Sequence, residues 1–133
     1  MKEITDKVLK TYAKKYGVDL ARFGDMGWMT HTGPANSEKL ITISVSPMTI
    51  FFSIYPLLEV KCKKCRPQLT QHLLLLNSQT PLVKYSVDAD WSILLSVEYP
   101  AKELNYNVFV TAMDALAEAI EKHYSDIVEM AKD

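Results

Sequence analysis

The sequence lacks the features that place a chain in several common classes of protein. Two cysteines among 133 residues are too few for the disulfide framework of a small secreted domain. A formal net charge of −1 gives no reason to expect nucleic acid or a membrane surface as a partner. No apolar run approaches the roughly 18 residues of a membrane-spanning helix, and residues 1–16 are too charged for a signal peptide. We therefore expect a cytoplasmic protein that binds neither nucleic acid nor membrane.

Motifs of catalysis are also lacking. The glycine-containing stretch FGDMG has neither the spacing nor the Lys-Ser/Thr ending of a phosphate-binding loop. No nucleophile is arranged with a base and an orienting acid in a recognisable motif. Asp88 and Asp90 lie in a predicted hairpin turn, where turn chemistry explains them. His123 borders the apolar face of the last helix and is expected to be hydrogen-bonded rather than a general base. We therefore predict that the chain is not an enzyme and needs no cofactor.

What the chain does have is hydrophobic residues in regular spacing. They make up 48% of the sequence, enough for the core of one domain over residues 1–133. Helical spacing occurs in three segments: one near the N-terminus, a leucine-rich one in the middle and a long one at the C-terminus. Gly17 is a natural stop for the first segment, and Pro67 begins the second. The apolar positions of the first and last segments are Ile4, Val8, Leu9, Tyr12 and Tyr16, then Phe109, Met113, Leu116, Ile120, Tyr124 and Ile127.

Two pairs of segments alternate between apolar and polar residues and predict two hairpins. The first pair is KLITISVS followed by MTIFFSIY, and the second lies within PLVKYSVDADWSILLSVEYP. A further short strand is predicted within residues 26–32, in a region that glycines interrupt. The expected fold is α+β, with an antiparallel sheet of about five strands in the order α-β-β-β-α-β-β-α. One shared interior should bring together Ile41, Phe52, Val83 and Leu95.

The stretch from Leu73 to Ile127 has a leucine-rich helix ending in Asn, a strand, an Asp turn, a strand closing in Tyr-Pro, and a long amphipathic helix. In this order it resembles the YbjN-like family, bacterial proteins that share the type III secretion chaperone fold. The resemblance implies a strongly bent sheet backed by helices, often a homodimer, and binding of other proteins without any reaction. Secretion chaperones proper tend to be markedly acidic, so a net charge of −1 favours the regulator-like relatives over a dedicated effector chaperone.

The second face of the predicted sheet is the main candidate for binding a partner. Large apolar side chains stand there among serines and threonines, which suits a surface that is sometimes covered. An ordinary half-exposed face, or one covered by the first helix, explains the pattern equally well. Trp28 either anchors a partner at the edge or fills the core. The candidate protein-binding residues are Trp28, Leu40, Phe51, Tyr55 and Leu94.

Leu74 and Leu75 widen the apolar face of the leucine-rich helix beyond what one neighbour can cover. Either they are buried within the monomer or they form a dimer contact, and the resemblance favours the dimer.

The segment LEVKCKKCRPQL contains both cysteines, Cys62 and Cys65. A zinc site needs about four ligands, and this spacing supplies two. The flanking cations would lower the pKa of a thiol, but a thioredoxin-like site opens its helix at the first cysteine, whereas here Arg66 and Pro67 intervene. We favour a cationic connector that leads into a helix, without a metal. The cations are Lys61, Lys63, Lys64 and Arg66.

The preferred hypothesis is a non-catalytic protein-binding domain, chaperone-like or regulatory, that acts as a homodimer and captures a peptide on its sheet face or along a sheet edge. A thiol or zinc-binding module through Cys62 and Cys65 is an alternative. A small-ligand pocket between the last helix and the sheet, lined by Trp91, Tyr99 and Tyr124, is another.

Overall fold

A computed structural model describes residues 4, 6–32 and 39–132. Short 3-10 turns at Lys63–Cys65 and Ala101–Glu103 precede the second and third α-helices. In chain order, the main elements are α1 Asp6–Tyr16, β1 Ala21–Phe23, β2 Gly27–Thr32, β3 Lys39–Val45, β4 Thr49–Glu59, α2 Arg66–Gln79, β5 Lys84–Val87, β6 Ser92–Pro100 and α3 Tyr106–Met130.

Local sequence signals set the ends of the helices. Gly17 follows α1 with a φ of 102°, and its amide donates to the carbonyl of Ala13, which closes the helix as expected. Pro67 lies in the first turn of α2. The side chain of Asn105 accepts a hydrogen bond from the amide of Val108 at 2.9 Å and so caps the start of α3.

The strands form one antiparallel sheet in the order β1-β2-β3-β4-β6-β5. The α+β fold and both predicted hairpins, β3 with β4 and β5 with β6, are confirmed. The pairing of β4 with β6 shifts register between Ile54 and Leu58.

The predicted number of strands was one too low. The sequence suggested β2 but not β1, which precedes β2 in the chain and pairs with it. Gly24, with a φ of 63°, allows the turn between these strands. The ring of Phe23 lies over Gly27, where a Cβ atom would come within 2.8 Å of it. In the sequence these glycines indicated a break in regular structure, whereas in the structure they allow the hairpin of β1 and β2. Gly33 and Pro34, which also interrupt this region of the sequence, lie outside the described residues.

The core lies between one face of the sheet and the three helices. Ile41, Phe52, Val83 and Leu95 are all buried in a single hydrophobic cluster, as expected. The ring of Phe109 on α3 stands 5.9 Å from that of Phe52, centroid to centroid, in an edge-on arrangement. Residues of α1, α2 and α3 are buried in this same cluster.

Polar contacts fix α1 and α3 in place. The hydroxyl of Tyr16 donates to a carboxylate oxygen of Asp114 at 2.6 Å, which ties α1 to α3. Lys39 at the start of β3 donates to the hydroxyl of Tyr124 at 2.7 Å and lies over its ring. In the part of the chain that the structure describes, no helix is both long and apolar enough to cross a membrane.

The contact of Phe52 with Phe109 makes a stability test possible. Phe52→Ala should lower the free energy of unfolding by about 3–5 kcal/mol, because it leaves a cavity in a fully buried position. Met48→Ala is the control, since Met48 is 78% exposed and its truncation should change stability by less than about 0.5 kcal/mol. Urea unfolding followed by circular dichroism measures both, and equal losses would contradict the placement of the core.

Candidate functional site

The face of the sheet opposite the core carries a mixed surface, here called the open face. Strand pairing sets its members side by side: Met29 opposite Thr42, Thr42 opposite Ser53, and Ser53 opposite Ser96. The open face consists of Phe23, Met29, His31, Leu40, Thr42, Ser44, Phe51, Ser53, Lys84, Ser86, Leu94, Ser96 and Glu98.

Large apolar side chains of the open face are partly accessible. Phe23 and Leu40 are each 41% exposed, and Phe51 and Leu94 are half-buried. The serines at the centre, Ser53 and Ser96, are nearly inaccessible. The surface is therefore apolar in its larger side chains and carries hydroxyl groups between them.

The first helix does not cover this face. Aromatic rings of α1, those of Tyr12 and Tyr16, pack against Phe109 of α3 at centroid distances of 6.0 Å. Phe109 in turn contacts Phe52, which lies on the core side of β4. This excludes the alternative that α1 covers the second face of the sheet.

Trp28 does not belong to the open face, and its expected role as an edge anchor needs correction. Its side chain is only 1% exposed, because it lies beside Ile43 on the core side of the sheet. Its indole Nε1 donates to a carboxylate oxygen of Asp6 at 2.8 Å, and this bond lowers the pKa of Asp6. Trp28 thus joins β2 to the start of α1 and fills the core.

Tyr55 stands at the margin of the open face and is 52% exposed. Its hydroxyl donates to Asp88 in the turn between β5 and β6. The other oxygen of Asp88 accepts from the amides of Asp90 and Ser92, both at 2.9 Å. The bond from Tyr55 lowers the pKa of Asp88, and the same bond raises the pKa of Tyr55. Turn chemistry accounts for Asp88, as the sequence indicated, and it fixes the position of Tyr55.

One edge of the sheet is blocked by a side chain whose role the sequence did not reveal. Asn77 of α2 accepts a hydrogen bond from the amide of Tyr85 at 2.7 Å and donates to the carbonyl of Tyr85 at 2.9 Å. These are the two main-chain groups that an added strand would use at this position of the edge strand β5. Sequence analysis predicted Asn77 only as the end of a helix, since nothing local shows where its amide points.

The leucine-rich helix exposes the pair that was expected to need cover. Leu74 is 64% exposed and Leu75 is 51% exposed, whereas Leu69, Leu73 and Leu76 are buried. Burial of the pair within the monomer is therefore excluded, and a dimer contact stays a prediction.

The two cysteines are joined in a disulfide between Cys62 and Cys65. In this state their sulfur atoms are not available as thiolate ligands for a metal. Among the described residues, no group of three or more His, Cys, Asp and Glu side chains could hold a metal ion. The 3-10 turn Lys63–Cys65 leads straight into α2. Contrary to the sequence interpretation, helical structure therefore begins directly after the first cysteine, and Arg66 and Pro67 do not separate the pair from it.

The aromatic residues of the expected ligand pocket have other neighbours. Trp91 lies under the guanidinium of Arg66, 4.9 Å from its ring centroid, and Tyr124 contacts Lys39. Neither they nor Tyr99 line a cavity of about 450 Å³ that lies between α3 and the residues at the end of α2. The cavity lining is Gln79, Thr80, Pro81, Leu82, Thr111, Asp114, Ala115, Glu118, Ala119, Lys122 and His123.

His123 is hydrogen-bonded, as expected. Its Nδ1 lies 2.9 Å from the hydroxyl of Tyr85, which links α3 to β5. Burial lowers the pKa of His123 below its ordinary value of 6.5.

Comparisons with known proteins identify the fold. No family model and no curated protein sequence matches the chain. The structure is similar to a chain of the heterodimeric ExoU–SpcU complex from the type III secretion system of Pseudomonas aeruginosa, with a TM-score of 0.61 and 18% identity, over 92% of this chain and 96% of the other. It is also similar to a chain of the HopA1–SchA chaperone–effector complex, with a TM-score of 0.63 and 14% identity, over 90% and 91% of the two chains.

At these identities the similarity concerns the fold, and the chain has a type III secretion chaperone-like fold, as the resemblance implied. Kinship with the YbjN-like family in particular stays a prediction.

The partly buried position of His123 generates a pH-dependence test. Because its pKa is lowered in the folded chain, the unfolded chain takes up a proton first as the pH falls. Stability should therefore decline as the pH drops through about 6.5 towards the folded pKa. His123→Gln should lose less stability than the wild type between about pH 7.5 and about pH 5.5, measured by urea unfolding.

Tyr85→Phe is the matched control, since it removes the hydrogen bond and keeps the histidine. The pH dependence should persist in this variant, because burial is the main cause of the lowered pKa. An unchanged pH dependence in His123→Gln would contradict the assignment.

Proposed function

We propose that this chain is a non-catalytic protein-binding domain, chaperone-like or regulatory, which acts in the cytoplasm as a homodimer. In this proposal the open face holds an extended segment of a partner polypeptide. The observation that carries it is the accessibility of large apolar side chains on a sheet face that none of the described helices covers.

The chemistry of the open face suits an extended segment with spaced apolar side chains. Neighbouring strands lie about 4.8 Å apart, so Leu40, Phe51 and Leu94 on three strands offer contacts across the sheet. The more accessible hydroxyls of this face, those of Thr42, Ser44 and Ser86, can hydrogen-bond polar groups of the partner. Apolar anchors would supply most of the affinity, with polar groups fixing the orientation.

The blocked edge favours the face over the edge as the binding mode. Because Asn77 occupies both main-chain groups of Tyr85, a partner strand cannot pair there without displacing it. At the opposite edge, β1 has only three residues, which limits how many main-chain hydrogen bonds an added strand could make.

The structural neighbours support a protein as the partner. One of them belongs to a chaperone–effector complex and the other to a heterodimeric complex of a secretion system. Both are similar to this chain over nearly its whole length, which supports a related use of the same fold.

The exposed leucines of α2 support the homodimer. Since Leu69, Leu73 and Leu76 of the same helix face the core, Leu74 and Leu75 point away from it on the helical side of the molecule. A symmetric contact through α2 would cover them and leave the open face accessible in both copies.

A binding experiment tests the role of the open face. A peptide is selected on the wild type from a random-sequence phage library, and its affinity is measured by fluorescence polarisation. Leu40→Asp combined with Leu94→Asp should weaken binding at least about tenfold, because each change places a charge on a surface that the peptide covers. The control is Met48→Asp combined with Leu82→Asp, which puts the same two charges on exposed apolar residues outside both the open face and the proposed dimer contact. Equal affinities of the two variants, both folded by circular dichroism, would remove the proposal.

The dimer has a separate test in analytical ultracentrifugation. Leu74→Asp combined with Leu75→Asp should convert a dimer into a monomer, because symmetry brings four new carboxylates together at one contact. Leu40→Asp should leave the sedimentation coefficient unchanged. A wild type that sediments as a monomer at every concentration tested would refute the homodimer without affecting the open face.

A further inference from the structure

The disulfide occupies the start of a helix. Cys62 is the residue just before the 3-10 turn Lys63–Cys65, whose end continues into α2. The amide of Cys65 donates to the carbonyl of Cys62 at 3.1 Å, so the two cysteines face each other across one helical turn. We propose that Cys62 and Cys65 form a reversible thiol–disulfide site that exchanges with low-molecular-weight thiols and disulfides, with Cys62 as the attacking sulfur and Cys65 as the resolving one.

The surroundings of Cys62 favour its thiolate form. Positive partial charge gathers at the start of a helix, and neither the 3-10 turn nor the first turn of α2 contains an acidic residue. Lys61 and Lys63 flank Cys62 in the chain, and both are exposed. A thiolate is stabilised by such positive charge, and the thiolate is the nucleophile in disulfide exchange.

The surroundings of Cys65 favour its protonated form. Its Sγ lies 3.2 Å from the carbonyl oxygen of Lys132, just after α3. In the disulfide this is a contact without a proton, since the sulfur carries none. After reduction the thiol can donate a hydrogen bond to this carbonyl, and a bond that uses the proton disfavours its loss. The two sulfurs therefore have different roles in the reduced pair.

The connection that carries Cys62 is held at both ends, which keeps the sulfurs close after reduction. Arg66 donates from Nη2 to the carbonyl of Val60 at 3.0 Å, and its guanidinium lies over the ring of Trp91. The amide of Val60 donates to the carbonyl of Trp91 at 2.8 Å. A fixed loop gives the second sulfur a high effective concentration, so the disulfide can form again readily.

Exchange then proceeds in two balanced steps. The Cys62 thiolate attacks one sulfur of a disulfide, RSSR, and forms a mixed disulfide while one thiolate, RS⁻, leaves. Cys65 gives its proton to solvent and attacks the Cys62 sulfur, which releases the second RS⁻ and closes the protein disulfide. Two electrons pass from the cysteine pair to RSSR, and the reverse sequence with a thiol reduces the pair.

This site lies outside the open face and does not rest on the proposed protein-binding function. Both cysteines are half-buried, so a small thiol or disulfide has partial access to them. Since Cys65 contacts Lys132, the redox state also changes the bonding between the start of α2 and the residues after α3.

Alkylation of single-cysteine variants tests the division of roles. In Cys65→Ser only Cys62 remains, and its reaction with iodoacetamide should have a pH midpoint at least about one unit below the ordinary value of about 8.5. In Cys62→Ser the remaining Cys65 should react with iodoacetamide at neutral pH about tenfold more slowly than Cys62 does in Cys65→Ser. Equal rates with ordinary midpoints would overturn the assignment of Cys62 as the attacking sulfur.

A charge variant with a matched control tests whether the lysines beside Cys62 stabilise its thiolate. In the Cys65→Ser background, Lys61→Gln with Lys63→Gln should raise the midpoint of Cys62. Lys7→Gln with Lys10→Gln on α1 removes the same number of charges and should leave that midpoint unchanged. A rise of equal size in both would refute the local electrostatic argument.

Reversibility is tested on the unmodified chain. The protein is equilibrated with mixtures of reduced and oxidised glutathione. Its free thiols are then trapped by alkylation, and the mass of the product is measured by mass spectrometry. The oxidised fraction should follow the glutathione ratio and return when the ratio is reversed, and Cys65→Ser should accumulate the mixed disulfide on Cys62. A pair that stays fully oxidised or fully reduced at every ratio would overturn the proposal, and peptide binding by the open face would be untouched by that result.

Discussion

The packing of α3 against one face of the sheet is the contact on which the rest of the structure depends. Phe109 meets Phe52 from the sheet and the aromatic rings of α1, so a single side chain joins three elements. Because side chains alternate along a strand, burying one face of the sheet in this way turns the other face outward. The accessible apolar residues of the open face follow from that constraint and from the placement of all three helices on the opposite side.

Much of the fold could be predicted where alternation is regular. The segments around Ile41 and Phe52, and those around Val83 and Leu95, have the period of two that assigns each residue to a face, and the structure agrees. Residues 21–32 were harder to interpret. There the glycines form a turn and make room for the ring of Phe23, and a local pattern cannot show that such a break lies inside a sheet.

The open face was predictable because residues that alternate with the core positions must lie on the opposite side of the sheet. Leu40, Phe51 and Leu94 lie there as predicted. Other features of the site depend on contacts between distant parts of the chain and left no local signal. Trp28 carries a polar indole nitrogen and yet faces the core, because the carboxylate of the distant Asp6 accepts a hydrogen bond from that nitrogen. The amide of Asn77 meets the edge strand only because α2 packs beside β5.

The most direct test of the account is to map where a selected peptide binds. In a nuclear magnetic resonance titration of the whole chain, we expect the largest shift changes at Leu40, Phe51 and Leu94 and little change at the cavity residues Leu82 and Ala115. Changes confined to the cavity or to α2, with the open face unaltered, would contradict the claim that the uncovered side of the sheet is the binding surface.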